Sequence, residues 1–388
     1  MRILHLTTQG EPCGIADYDG RLRHHLIDAG HASEFHRIPQ SEFDFSTRAE
    51  IVAFFDKFVE KARSYDAIVI EHEYGFFSGP FSLKFGLDNL SRVIEKLAGR
   101  KIILISHTDP SLVNLDERKT VADYFSTKRL SMRRLAKTIN KHGVKLVVHG
   151  SVARRAWINV GINRRQIENL YIPLELPANA ANDQAPYDGK RIVWLAVFGF
   201  IGEYKGYQAA LEALHYLPEN YRLMIIGGVH PRARNEMALE KIMRFRATGL
   251  WPNGSMKSRP SQLSNKGFED RVVVTGYLGA DEVLRCMGET DLILAPYLEG
   301  GPSGSAAVGV GLKSGKPVIA SKTRSFEEIQ FHSGALKMVS SGAPAELALV
   351  IEKLMANQDE RTELVGKIYA YGQTRTWADY IARLGLDK

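Results

Sequence analysis

The chain has 388 residues, 44% of them hydrophobic and 24% charged, with a net charge of +7. Such a length is past the size at which one core keeps growing, so two domains are expected. The two cysteines, Cys13 and Cys286, exclude a disulfide scaffold and fit a reducing cytoplasm, and no apolar run approaches the ~20 residues that span a bilayer.

Met1–Leu6 turns polar too soon for a signal-peptide core and reads as the opening of a first strand, Arg2–Thr7. A helix over Ala16–Ala29 follows, with Tyr18, Leu22, Leu26 and Ala29 at helical spacing. Ala67–Glu71, Lys101–Ser106 and Lys145–His149 are apolar runs typical of buried strands, separated by amphipathic helical stretches. Continuous apolar strands alternating with helices indicate a parallel sheet covered on both faces. Between Arg118 and Arg165 stand thirteen Lys or Arg against one acid, Asp123. This stretch reads equally as solvated helix faces or as a surface for polyanions such as an anionic membrane. Nucleic acid is disfavoured, because neither a DNA-reading motif nor interleaved stacking aromatics accompany the charge.

Leu176–Lys190, rich in Pro, Asn, Asp and Gly, is the linker candidate. Beyond it the pattern restarts. Strands are expected at Ile192–Phe198, Arg222–Ile226, Arg271–Thr275, Leu292–Ala295 and Val318–Ala320. Helices are expected at Tyr207–Leu217, Asp281–Gly288 and Ala306–Lys313, with a loop-like basic stretch over Arg244–Lys266. Two doubly wound domains follow, with ligands beyond the carboxyl ends of the strands.

Chemistry-bearing residues gather at those strand ends. Gly14, in the turn before the first helix, can bring backbone close to a ligand, and the free N–H groups and positive dipole end of the helix that follows favour an anion; an ordinary strand–helix turn is the plain alternative. Glu71-His-Glu73 stands at the end of the expected strand Ala67–Glu71, with its two carboxylates on one side and His72 on the other. No metal-ligand spacing accompanies it. His107, directly after Lys101–Ser106, is the best single candidate for a ligand-facing histidine, with a satisfied structural role as the alternative. In the second half, Lys205 stands just ahead of a helix, a natural point-charge partner for a diphosphate. Ala295–Ser305 follows a strand and opens a helix, and the Ser303-Gly304-Ser305 turn can converge several backbone N–H groups on anionic oxygens. Against an NAD-dependent dehydrogenase, which shares doubly wound sheets, no Gly-x-Gly-x-x-Gly follows the first strand, nor the acid expected about 20 residues on.

Phe198–Gly206 (FGFIGEYKG), Val274–Leu278 (VTGYL), Asp291–Glu299 (DLILAPYLE) and Gly315–Ser321 (GKPVIAS) resemble, in that order, the C-terminal half of the retaining family-4 glycosyltransferases of the GT-B fold. Pro12–Tyr18 (PCGIADY) and Glu71–Phe76 (EHEYGF) resemble the N-terminal half of a bacterial subset of that family. The resemblance implies an α/β GT-B architecture. An acceptor-binding Rossmann-like domain would span 1–180 and a nucleotide-sugar domain 181–370. A C-terminal helix, 371–388, would cross back to the first domain and carry Trp377. It implies retaining, metal-independent transfer from a GDP- or UDP-sugar, with no cofactor, to a saccharide or lipid-linked acceptor. The setting would be bacterial surface polysaccharide or glycoconjugate synthesis, in the cytoplasm or peripheral on the inner membrane face. His107, Lys205 and Glu299 would be catalytic. Gly14, Gly202, Lys205, Gly276, Tyr277, Leu278, Ser303, Gly304 and Ser305 would hold the donor, and Asp17, Tyr18 and Glu73 would lie on the acceptor side. Two departures stand out. Phe200 occupies the place of a frequent arginine, and the family's glutamate pair eight positions apart is missing, since Ala307 stands eight residues after Glu299. A catalytically degenerate binding or scaffold protein of the same fold is therefore the alternative.

Overall fold

Parallel neighbours in a sheet need crossover connections, and the alternation of apolar strands with amphipathic helices supplies them. In the computed structural model, β1 (Arg2–Thr7), β2 (Ala32–Arg37), β3 (Ala67–His72), β4 (Lys101–Ser106), β5 (Lys145–Val148) and β6 (Ile167–Asn169) form one six-stranded sheet, in the order β2-β1-β3-β4-β5-β6. A second has the order β12-β11-β10-β7-β8-β9. It is built from β7 (Val193–Phe198), β8 (Tyr221–Ile226), β9 (Val272–Val274), β10 (Leu292–Ala295), β11 (Val318–Ser321) and β12 (Leu336–Val339). All ladders within both sheets are parallel. The structure describes residues 1–11, 13–110, 127–177, 186–229, 237–251, 267–298 and 306–386.

The chain divides into two units, one gathering Met1–Pro173 with Arg375–Lys388, the other Leu174–Gly301 with Ser305–Thr374. In each, the central strands are sealed on both faces: all six residues of β3 are buried, as are all four of β10 and of β11. On one face of the first sheet, Phe55, Phe58, Leu90 and Trp157 pack on Leu4, Ile68 and Leu104. On the other, Leu22 and Leu26 of the Gly14–Asp28 helix pack with Trp377, Tyr380 and Leu384 of the last helix, Trp377–Leu384. That last helix is tied down by the Tyr18–Tyr380 hydroxyl pair, by Arg383 to Glu168, and by the Lys145 ammonium donating to the Arg383 carbonyl.

Lys101–Ser106, Leu292–Ala295 and Ala306–Lys313 form with the expected bounds. Three strands escape a reading by apolar runs. β2 (ASEFHR) is a largely solvated edge, β6 has three residues, and β12 carries Lys337 in the middle of its four. The expected loop over Arg244–Lys266 is corrected at its start: a helix, Met237–Thr248, runs into it with Ala238, Ile242 and Phe245 buried. Positions 252–266 lie outside the described residues. Among the described residues no helix is long and apolar enough to cross a membrane.

Candidate active site

Strand order decides where a ligand can sit. In the first sheet the order reverses between β1 and β3, in the second between β7 and β10, and the crevice beyond the strand ends at such a point is the usual ligand site of open parallel sheets.

At the second sheet's switch point, Phe198–Gly206 leaves β7 and passes through a short 3₁₀ turn, Glu203–Lys205. Gly206 then adopts φ +68°, and a Cβ there would lie 1.8 Å from the carbonyl oxygen of Pro296, just beyond β10. Only glycine lets the two strand exits approach so closely. The consequence is chemical. Lys205, 6% exposed, donates from Nζ to the Tyr297 hydroxyl at 2.5 Å and to the Phe198 carbonyl at 3.4 Å, joining the exits of β7 and β10. Burial lowers the Lys205 ammonium from its ordinary 10.5 to about 7. An anion arriving beside it would restore the charge.

The other turns of this edge are laced together. Ile201 N–H donates to the Gly228 carbonyl at 2.9 Å, Gly227 N–H to Thr275 Oγ1 at 3.2 Å, and Leu298 N–H to the Tyr204 carbonyl at 2.8 Å. Gly227 and Gly276 form an antiparallel bridge, and a Cβ on Gly227 would meet the Gly199 carbonyl oxygen at 2.3 Å. Gly276 has φ +76° with open space above it, while Tyr277 is exposed and its ring stacks on Phe200 at 6.0 Å. Leu278 is half-buried beside them. Gly202 faces a cavity of about 310 Å³ behind the Lys205 turn, lined also by Gly206, Gln208, Lys241 and Trp251. Lys205 is not among its lining residues. Lys205, Gly276, Tyr277 and Leu278 thus stand on turns at one sheet edge. Glu299, Ser303, Gly304 and Ser305 lie outside the described residues.

In the first unit the expected residues separate. Gly14 is exposed at the start of its helix, with open space where a side chain would stand, and Asp17 is exposed on the same turn. Glu73 is half-buried and accepts a hydrogen bond from Gly75 N–H at 2.6 Å, capping the turn after β3. Tyr18 points inward instead: it is buried, with its hydroxyl on Tyr380 and its ring edge-on to His107 at 5.0 Å and His149 at 5.5 Å.

His107 is fixed at the end of β4 by its own N–H, which donates to the His72 carbonyl at 3.0 Å. Its Nε2 lies 2.6 Å from Oε2 of Glu71, which is fully buried. Behind them, His5 Nδ1 lies 2.6 Å from Asp19 Oδ1, and Arg23 Nε donates to Asp19 Oδ2 at 3.2 Å. Burial, then the neighbouring His149 and His72 rings, hold His107 well below the usual imidazole range, so it is neutral. Burial alone brings His72 down to about 3. Burial also lowers His149 to about 4, against the opposing pull of the hydrogen bond between its Nδ1 and the Leu170 carbonyl. Sequence reasoning misses His5, Asp19 and Glu71 as a group. Among the described residues their ligand-capable atoms all fall within 4.8 Å of one another, and all three side chains are buried. Asp19 does leave a trace in the sequence: it stands three residues before Leu22 and seven before Leu26, a charge on the apolar stripe of a helix.

Comparison with curated proteins finds no match. Among solved structures, Anabaena HepE in complex with UDP-glucose is similar over 99% of this chain and 98% of its own, at 15% identity and a TM-score of 0.67. Sucrose-phosphate synthase from Thermosynechococcus elongatus is similar over 99% and 97%, at 13% identity and a TM-score of 0.70. A glycosyltransferase from Rickettsia africae is similar over 99% and 97%, at 12% identity and 0.64. At such identities the likeness speaks for the fold, which is that of the GT-B glycosyltransferases, α/β with two Rossmann-like units. Residues 182–371 match the family model of the glycosyl transferases group 1.

Proposed function

We propose that the protein is a retaining glycosyltransferase that takes a sugar from a nucleotide-diphosphate donor, UDP- or GDP-linked, and passes it to a saccharide or lipid-linked acceptor. The single observation that carries this reading is the buried Lys205 at the β7/β10 switch point, bonded to Tyr297 and half discharged near neutral pH. A lysine so placed gains most when a phosphate arrives, and gains more as negative charge builds on a departing diphosphate. The group 1 match over 182–371 and the UDP-glucose held by HepE support the same assignment.

In this reading Lys205, with the Ser303–Ser305 amides, stabilises the leaving diphosphate as the sugar becomes oxocarbenium-like. Gly276–Leu278 lie along the base, with Tyr277 and Phe200 offering an aromatic face. Gly14 and the open helix start behind it leave room for donor phosphate, and Gly202 shapes the Lys205 turn. Glu299 touches sugar hydroxyls, His107 lies near the transferred sugar, and Asp17 and Glu73 line the acceptor side. No metal takes part, since lysine and backbone N–H groups neutralise the phosphates. The first unit binds acceptor and the second donor, with the domains as expected at 1–180, 181–370 and 371–388. The Thr127–Lys141 helix exposes Arg134, Lys137 and Lys141, a face suited to an anionic membrane carrying a lipid-linked acceptor of surface polysaccharide synthesis. Flotation with anionic liposomes at low salt tests that face, and failure to bind there would remove the membrane role.

The function is tested by a thermal-shift panel of GDP-, UDP-, ADP- and TDP-sugars, followed by a turnover assay with whichever donor stabilises. A true ligand adds about 2.7 kcal/mol at a hundred times its dissociation constant. Stabilisation without transfer or donor hydrolysis would favour a binding protein of the same fold, which the missing glutamate pair makes the second reading. No stabilisation by any donor would overturn both.

A further inference from the structure

What aims Lys205 is not the lysine itself. An ammonium carries three N–H groups at the end of a flexible four-carbon stem, and its direction is fixed only when two of them are tied. Lys205 Nζ donates to the Tyr297 hydroxyl at 2.5 Å and to the Phe198 carbonyl at 3.4 Å, the second near the limit of a useful bond. Among the described residues no carboxylate pairs with it: Glu203, two residues earlier, is turned to Lys241 at 2.7 Å. The Tyr297 hydroxyl is the stronger of the two tethers.

That hydroxyl is held without help from the lysine. Tyr297 is 4% exposed, and its ring stands edge-on to Tyr204 at 5.7 Å and to Phe326 at 5.1 Å. Its backbone is clamped as well. The Tyr297 carbonyl accepts from Ser341 Oγ at 2.9 Å, and the next N–H, that of Leu298, donates to the Tyr204 carbonyl at 2.8 Å. A packed, rigid phenol thus sets the place of a flexible amine.

A phenol also suits a lysine whose charge changes. Its hydroxyl accepts from an ammonium and donates to a neutral amine, whereas a carbonyl only accepts. The other titratable groups around Lys205 stay out of this exchange. The Tyr207 hydroxyl donates to the Gly199 carbonyl at 2.9 Å, and the Tyr204 ring centre lies 5.6 Å from Nζ. Burial raises both phenols above their ordinary range, so neither gives up its proton.

We propose that Tyr297 is the positioning residue of Lys205: its packed phenol takes one ammonium hydrogen, the Phe198 carbonyl takes a second, and the third is left in a fixed direction for a phosphate oxygen. When Lys205 is neutral, the same hydroxyl turns its own hydrogen to the amine and keeps the stem in place until an anion and a proton arrive. The use of the third hydrogen on a donor diphosphate rests on the glycosyl-transfer reading; the tether does not.

The test is NMR of protein labelled with ¹³C at lysine Cε and tyrosine Cζ, recorded without nucleotide. Wild type is compared with Lys205→Met and with Tyr297→Phe, which keeps the ring and removes only the hydroxyl. In wild type one lysine signal, assigned by its loss in Lys205→Met, should titrate at about pH 7. One tyrosine Cζ signal should follow it over the same range and stand still in Lys205→Met. A hydrogen bond to the charged form favours that form, so Tyr297→Phe should move the lysine midpoint to lower pH while Tm stays close to wild type. A merely structural tyrosine would do the reverse, lowering Tm and leaving the midpoint alone. Tyr297→Phe should also weaken binding of UDP or GDP at pH 7 about ten-fold, the scale of one hydrogen bond to a charged group.

An unchanged midpoint or an unchanged nucleotide affinity in Tyr297→Phe would each overturn the proposal, as would the lack of any tyrosine signal that follows Lys205 in wild type. That last readout needs no tyrosine variant and decides alone should Tyr297→Phe fail to fold. Both signals are read without nucleotide. A chain that binds no donor would therefore sink the glycosyl-transfer reading and leave the tether standing, and an untethered lysine in a chain that binds donor would do the opposite.

Discussion

The two switch points solve opposite electrostatic problems. In the second unit Lys205 is buried at the switch point against a tyrosine hydroxyl and a backbone carbonyl, with no carboxylate among its hydrogen-bond partners among the described residues. In the first, acids and imidazoles are buried together, with His5 Nδ1 2.6 Å from Asp19 and His107 Nε2 2.6 Å from Glu71. A site meant for an anion gains from leaving its cation uncompensated, because the ligand then supplies the missing charge. One meant for neutral hydroxyls gains from fixed, uncharged donors and acceptors. In the function proposed above, phosphate goes to the second unit and hydroxyl chemistry to the first.

The largest expected effect breaks the second half of that contrast. Lys205→Ala should lower turnover by about two to three orders of magnitude, the usual loss when one preorganised donor to a developing charge is removed. Circular dichroism should stay unchanged, since the lysine's own burial is a cost that alanine avoids. A near-normal rate would end the assignment of Lys205.

Next comes stability. Gly206→Ala forces a side chain into φ +68° and onto the Pro296 carbonyl. The backbone term alone costs about 1–3 kcal/mol, and the clash adds to it. Scanning calorimetry should show a Tm lower by about 5 °C or more, whereas Gly14→Ala, with open space and no left-handed φ, should leave Tm unchanged. Equal behaviour of the two would mean that the β7 and β10 exits are not locked together.

The third prediction concerns pH. Lys205 holds its proton below about pH 7 in the folded state, and up to its ordinary 10.5 when unfolded. Between these values the unfolded chain binds the extra proton, so this lysine's contribution makes stability rise with pH across that window. Diphosphate favours the charged form. Nucleotide binding at pH 8 should therefore take up close to one proton and weaken as pH climbs. Calorimetric titration with UDP or GDP in buffers of different ionisation heat reads this directly, and Lys205→Met should abolish the uptake. The smallest effect is Tyr277→Ala, which removes one ring from the Phe200 stack. A loss of about 1 kcal/mol would weaken nucleotide binding roughly five-fold and leave kcat alone.

How much of this was legible in the sequence follows the range of the interactions. Lys101–Ser106 and Leu292–Ala295 are central strands, so their apolar runs announce them. β2 is an edge strand with polar residues at exposed positions, and no apolar run marks it. Lys205 and Val274–Leu278 are readable because each follows its own strand. The partners of His107 are not. Glu71 is 36 residues away, and only the parallel pairing of β3 with β4 brings the two together. Tyr18 carries the opposite error: a motif match places it toward a ligand, while helical periodicity, which puts it on the stripe with Leu22, has it facing the core.

The most direct test of the account is hydrogen exchange followed by mass spectrometry, with and without the nucleotide sugar that gives the largest thermal shift. Slowed exchange in Phe198–Gly206, Val274–Leu278 and Pro296–Leu298, and its loss in Lys205→Ala at the same ligand concentration, is the predicted result. Binding that stabilises the protein yet leaves all three turns unprotected would contradict it.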